Sequence, residues 1–170
     1  LSTSIIGLAS TQDYLYIVGD HATHVLYGVQ ILATGSTSFT LTDAVPGIGA
    51  IYPDSILVFG GLVYEGGEFG IHTVMGGQHE LISGLLDQAY LNIDTSFPPK
   101  AFFGRLWNKI CYCLLVRAQD PTDGNYRKMI WANYENRWFY ISYGDSYDFT
   151  FACQRSVFIV QKNVAAYGPY

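Results

Sequence analysis

The sequence predicts an all-β fold of short antiparallel strands, and three observations carry that expectation. Long stretches alternate apolar and polar residues at period two, aromatic residues make up 16% of the chain with 14 tyrosines among them, and 18 glycines punctuate the alternating stretches. Tyrosine and β-branched residues suit a pleated, half-buried surface, while glycine supplies the positive φ that tight turns need.

Asp13-Tyr-Leu-Tyr-Ile-Val-Gly19 and Thr23-His-Val-Leu-Tyr-Gly28 read as a hairpin turning between Gly19 and Ala22, with Gly28 closing its second strand. The Thr/Ser run Thr34 to Thr42 is strand-prone, and Asp43 to Gly49, with its Pro-Gly step, reads as a loop. Ser55-Ile-Leu-Val-Phe59 is uninterrupted and apolar, the pattern of a strand buried on both faces. Gly60-Gly61 and Glu65-Gly-Gly-Glu68 turn the chain on either side of Leu62-Val-Tyr64, and Gly70 to Met75 runs back toward Gly76-Gly77. Glu80 to Ser83 reads as a fourth strand, and Ser83 to Tyr90 as a helical turn, short and glycine-interrupted. After Pro98-Pro99, Phe102 to Val116 holds a turn at Gly104 and a long strand centred on Ile110 to Val116. Asp120 to Asn125 has strong turn chemistry; Met129 to Trp131 and Trp138 to Ile141 flank a hairpin turn at Asn133 to Asn136; Val157 to Val160 and Val164 to Tyr167 read as a last strand pair.

One internal likeness organises these strands. Thr23-His-Val-Leu-Tyr-Gly28 and Ile71-His-Thr-Val-Met-Gly76 superpose with His24 on His72, a shift of 72 − 24 = 48 residues. A period of roughly 40 to 50 residues with several strands per unit is that of propeller blades. The expected architecture is therefore a β-propeller-like repeat of antiparallel multi-stranded blades, with a β-sandwich as the alternative. Residues 1–170 read as a single all-β domain or as a propeller fragment of about three to four blade-like units. That is few for independent ring closure, where roughly four to eight blades are usual, so the chain reads as a fragment or as one whose exposed edges are covered by other copies or partners. The chain starts at Leu1 with no signal-peptide pattern, as a processed or partial chain would.

Composition narrows the function classes. Charged residues are 14% of the chain, well under the usual quarter, so much of the surface is expected to be uncharged or covered by a partner, which leans toward an assembly component. The net charge is −5 with lysines and arginines scattered singly, so no footprint for nucleic acid is present. The apolar runs Ser55 to Val63 and Ile110 to Val116 fall far short of the roughly 20 residues of a membrane-spanning helix, and no membrane association is expected. Three cysteines without a CxxC pair fit neither a disulfide framework nor a zinc ribbon; Cys111 and Cys113 share one strand face and read as small buried side chains.

The order of phrases Tyr14-Leu-Tyr-Ile-Val-Gly19, Thr23-His-Val-Leu-Tyr27 and Gly47-Ile-Gly-Ala-Ile-Tyr-Pro-Asp-Ser-Ile56 resembles the β-propeller tail and neck proteins of tailed bacteriophages, the tail accessory and stabilisation proteins being nearest. In that group a blade continues through an apolar strand, a glycine turn, a Gly-Ile-His strand, a Leu-Ile-Ser strand and a short helical insert. Here the pieces are Ser55 to Phe59, Gly60-Gly61, Gly70-Ile-His72, Leu81-Ile-Ser83 and Leu85 to Asp94. Asn125 to Trp131 with Glu135 to Phe139 is similar to the family's blade hairpin, although Asn136-Arg137 stands where a glycine is usual. The resemblance spans most of residues 13 to 142. It implies a non-enzymatic virion structural protein, assembled in the host cytoplasm, whose partners are other virion proteins or copies of itself, and it carries over no catalytic or cofactor residue.

Candidate chemistry gives way to structural readings. His21 and His24 fall on opposite faces of an extended strand and cannot converge on a metal, while His24 and His72 read as one blade position used twice. Asp120 to Asn125 lacks the ligand alternation of a calcium loop. Glu65, Glu68 and Glu80 offer carboxylates for a glycosidase on a propeller scaffold, a further alternative, but read first as solvated turn acids. The glycine pairs lack the helix and lysine of a phosphate loop. No catalytic, cofactor or metal residue is assigned. Tyr134, Trp138, Tyr140 and Tyr143, with Tyr147, form the candidate binding face, since aromatic planes supply stacking area for a glycan or a protein receptor.

Overall fold

In the computed structural model, the described residues are 4–106, 108–120, 123–135, 137–142, 147–152 and 157–162. They form two compact units, Leu1–Asp87 and Gln88–Tyr170. The protein is all-β, with three four-stranded antiparallel sheets and a further strand pair.

The first unit holds two sheets. The first sheet runs in chain order through β1 (Ile5–Ser10), β2 (Leu15–Gly19), β3 (Ala22–Ile31) and β4 (Thr37–Pro46). The second does the same with β5 (Leu57–Phe59), β6 (Leu62–Gly66), β7 (Ile71–Met75) and β8 (Gln78–Leu81). The 48-residue shift survives as register. Ile17 pairs with His24 as Glu65 pairs with His72, and Leu15 with Leu26 as Val63 with Val74. Glycines at the shifted positions Gly28 and Gly76 share left-handed φ values of 65° and 59°.

The two sheets stack strand over strand, β1 against β5 and β4 against β8. Ala9, Tyr16, Val18 and Val25 of the first sheet pack on Val63 and Val74 of the second, with Ala50 from the connection. Two polar ties cross the stack: the Thr23 hydroxyl donates to Glu65 Oε2 at 3.0 Å, and the Gly76 amide donates to the Tyr16 hydroxyl at 2.8 Å. Close approach needs glycine at Gly49, where a Cβ would lie 2.1 Å from the Gly19 carbonyl oxygen.

Several boundaries differ from the sequence expectation, each for a physical reason. Gly28 does not end β3. The β3–β4 ladder shifts register between Tyr27 and Gln30, so Gly28 sits at a bulge and the strand runs on to Ile31. Residues through Pro46 belong to edge strand β4, where a proline is tolerated, rather than to a loop. Ser55 closes a 3-10 turn, its hydroxyl bonded to the Tyr52 carbonyl, which leaves β5 as a three-residue edge strand that is not buried on both faces. Glu65 and Gly66 lie inside β6 and not in a turn. The fourth strand is β8, and a 3-10 turn at Gly84–Leu86 followed by α1 (Asp87–Leu91) supplies the expected helical insert.

In the second unit β9 (Lys100–Leu106), β10 (Lys109–Gln119), β11 (Tyr126–Tyr134) and β12 (Arg137–Ser142) form the third sheet in the order β12-β11-β10-β9. The near-continuous apolar run of β10 is buried on both faces, Cys111, Cys113 and Leu115 on one and Tyr112, Leu114 and Val116 on the other. Gly104 lies within β9, where glycine leaves room for Cys113 Sγ, 2.5 Å from where a Cβ would stand; the turn instead uses Asn108 at φ 67°. The Asp120 to Asn125 turn closes with the Asp120 amide donating to the Asn125 carbonyl and the Gly124 amide donating to the Asp120 carbonyl, each at 2.8 Å. A strand pair, β13 (Tyr147–Ala152) and β14 (Val157–Lys162), follows, and Val164 to Tyr167 lie outside the described residues.

Candidate functional site

The aromatic residues singled out in the sequence do not converge. Trp131 pairs with Tyr140 and Asn133 with Trp138, so Trp138 and Tyr140 share one face of the third sheet. Tyr134 pairs with Arg137, one residue out of phase, and therefore lies on the opposite face, where it packs beside Cys111, Cys113 and Ala132. Trp138 makes an edge contact with buried Tyr112, ring centroids 6.4 Å apart, and Tyr140 stands 51% exposed beside it. Tyr143 and the Tyr147 side chain lie outside the described residues.

The acidic candidates are separated in the same way. Glu65, opposite His72, faces the first sheet and is fully buried, which overturns its reading as a solvated turn acid. Glu80, opposite Thr73, points to the other face, and Glu68 is exposed in the turn. Burial pushes the Glu65 carboxyl up to about 7, the Thr23 hydroxyl opposing that shift. Glu65 Oε1 and His72 Nδ1 find no hydrogen-bond partner among the described residues. Burial, and then the nearby His79 ring, lower the pKa of His72. Beside them Asp20, His21, Glu68 and His72 line a cleft of about 30 Å³, room for one or two waters and far below a small-molecule site. No group of three or more His, Cys, Asp or Glu side chains among the described residues is arranged to hold a metal.

His24 and His72 occupy equivalent register positions but meet different surroundings. His72 faces the stack between the two sheets, whereas His24, opposite Ile17, lies on the face of the first sheet turned away from it. The same holds for each shifted pair. Tyr16 is fully buried in the stack, while its equivalent Tyr64 is on the far side of the second sheet and half-buried. The sheets thus pack front to back.

That leaves the first sheet with an outward face that is largely apolar, interrupted by buried His24 and its register partner Asp43. Leu15, Ile17 and Leu26 are half-buried on it, and Leu8 is 64% exposed. The face continues into a hairpin arm. Twelve residues separate the paired Tyr27 and Thr40, where two separate the equivalent Met75 and Gln78, so the arm is ten residues longer than the turn it replaces. All sixteen residues from Tyr27 to Thr42 are exposed, and none carries a charge. Cross-strand pairing puts Leu26, Ile31, Phe39 and Leu41 on one side of the arm and Tyr27, Gln30, Ser38 and Thr40 on the other.

No protein-family model and no curated protein matches the chain. The interpretable site is therefore this apolar face and arm, which the sequence reading passed over. Its one visible signal was the charge-free stretch from Tyr27 to Thr42. Cys111 and Cys113 are free and buried, and burial pushes the Cys113 thiol up to about 12, far from a reactive thiolate.

Proposed function

We propose that the chain is a non-enzymatic structural protein of an assembly, a virion tail or neck component of the tailed-phage kind that its phrases resemble. The observation that carries this reading is the outward apolar face and its charge-free arm, a surface suited to be covered by protein. The front-to-back stacking of sheets at a 48-residue period supports a propeller-like order of blades. The test is quantitative mass spectrometry of purified particles from a source that encodes the chain. A fixed copy number per particle is expected; a chain found in the lysate but absent from the particles would sink the proposal.

A further inference from the structure

Between Leu1 and Asp87 the sequence has no Lys and no Arg, so the basic side chains of the first unit are its histidines, His21, His24, His72 and His79. A buried carboxylate there has no permanent counter-charge in its own unit. Glu65 on β6 is 0% exposed, and its register partner on β7 is His72, 7% exposed, both facing the first sheet. Thr23 of that sheet donates to Glu65 Oε2, while Glu65 Oε1 and His72 Nδ1 have no hydrogen-bond partner among the described residues. The other titratable groups around them supply no fixed cation either. Tyr14 and Tyr16 come from the first sheet, His79 of β8 lies against the His72 ring, and Asp20, His21 and Glu68 surround the cleft that His72 lines. Asp54, in the 3-10 turn against β6, is exposed, and Asp43, paired with His24, lies on the face of the first sheet turned away.

We propose that the two sheets of the first unit are joined by a proton-operated latch, in which a protonated Glu65 and a neutral His72 keep the stack closed and loss of the Glu65 proton parts the sheets.

An ionised Glu65 would keep the Thr23 hydroxyl as its donor and give up its hydration on every other side. Burial accordingly holds its carboxyl up at about 7, and lowers His72, the His79 ring adding to that lowering. Against its ordinary 4.5, Glu65 favours the closed stack in full below about pH 4.5, and this preference is lost as pH rises to about 7. His72 favours the closed stack above its ordinary 6.5 and loses that preference as pH falls, so the two oppose each other and a variant is needed to separate them. The stack is also the place to yield. Within each sheet the strands are joined by backbone ladders, whereas across the stack the side chains meet through apolar contacts and the Thr23–Glu65 and Tyr16–Gly76 ties. Tyr16, Val18, Val25 and Val63 meet water when it parts, so proton loss turns a closed core into an apolar surface open to a partner.

The experiment is thiol labelling of the full chain. Val74→Cys puts a thiol at a fully buried stack position, and its rate with a neutral alkylating reagent, divided by that of a cysteine peptide at the same pH, reads the opening. Peptide mass spectrometry separates it from the free, buried Cys111 and Cys113 of the second unit, which serve as internal references. Between about pH 5.5 and about pH 8 the opening with Glu65 in place, relative to that with Glu65→Gln, is expected to rise at least about tenfold. Cys111 and Cys113 are expected to show no such rise. Thr23→Val removes the bond that opposes the raised carboxyl and is expected to move the rise to higher pH, which keeps the test intact should Glu65→Gln fail to fold. The same pH course with and without Glu65→Gln overturns the latch, as does a rise that Thr23→Val leaves at the same pH or one that Cys111 and Cys113 share.

Discussion

The first and second sheets share their pairing in three strands, yet equivalent residues have opposite fates. Val63 and Val74 are fully buried, whereas Leu15 and Leu26 at the shifted positions are half-buried; Tyr16 is fully buried and Tyr64 half-buried. Sequence equivalence therefore sets where a side chain points along its strand, and the neighbouring sheet sets whether it meets water. Both faces of such a sheet carry apolar residues, and on the outward face of the first sheet some of them stay exposed, Leu8 at 64%.

The largest effect that would break this comparison is electrostatic. Glu65 stands where the open face has Ile17, and its carboxyl sits at about 7 against an ordinary value of 4.5. The fold favours its neutral form, so the contribution is present in full below about pH 4.5 and is lost as pH rises to about 7, amounting to about 3 kcal/mol. His72, lowered from 6.5, works in the other direction, losing its contribution as pH falls below 6.5. Glu65→Gln keeps an acceptor for the Thr23 hydroxyl and removes the falling limb. Urea midpoints from pH 5 to 8 should drop for the wild-type chain and not for the variant; parallel profiles would mean that burial of Glu65 does not govern the stack.

A middle-sized effect sharpens it. Val63→Ala, inside the stack, is expected to lower stability by about 2 kcal/mol, and Leu15→Ala, its uncovered counterpart, by about 1 kcal/mol or less, although leucine loses more atoms. Equal losses in urea titrations of monomer would show that something covers the outer face after all. The smallest effect concerns the arm. Exchanging Val29 to Phe39 for one glycine should move monomer stability by no more than about 0.5 kcal/mol, because none of the arm's residues is buried.

Much of the fold was legible in the sequence. Alternation marked the strands, glycine pairs marked the turns at Gly60-Gly61 and Gly76-Gly77, and the His24–His72 likeness survives as a common register. What failed was the meaning of single glycines and acids. Gly28 and Gly76 have the same backbone twist, yet one bulges a ladder and the other turns it. Gly104 is a strand residue whose glycine is required by the nearness of Cys113 rather than by a turn, a fact of packing that local sequence does not carry. Glu65 beside two glycines has turn composition, but its depth depends on Thr23 lying 42 residues earlier. The aromatic cluster of Tyr134, Trp138 and Tyr140 looked like one surface because spacing was weighed without phase; a single step of register divides it.

Gly28 has a wider consequence. On its sheet-side flank the ladder is already committed to the register it shares with the second sheet, and beyond it all fourteen residues from Val29 to Thr42 are exposed. The segment past that glycine is thus an interchangeable cassette: its length and lettering are free to drift while the scaffold stays the same. A protein organised this way can acquire a new neighbour by rewriting one loop, and the same position is a natural port for displaying a foreign peptide.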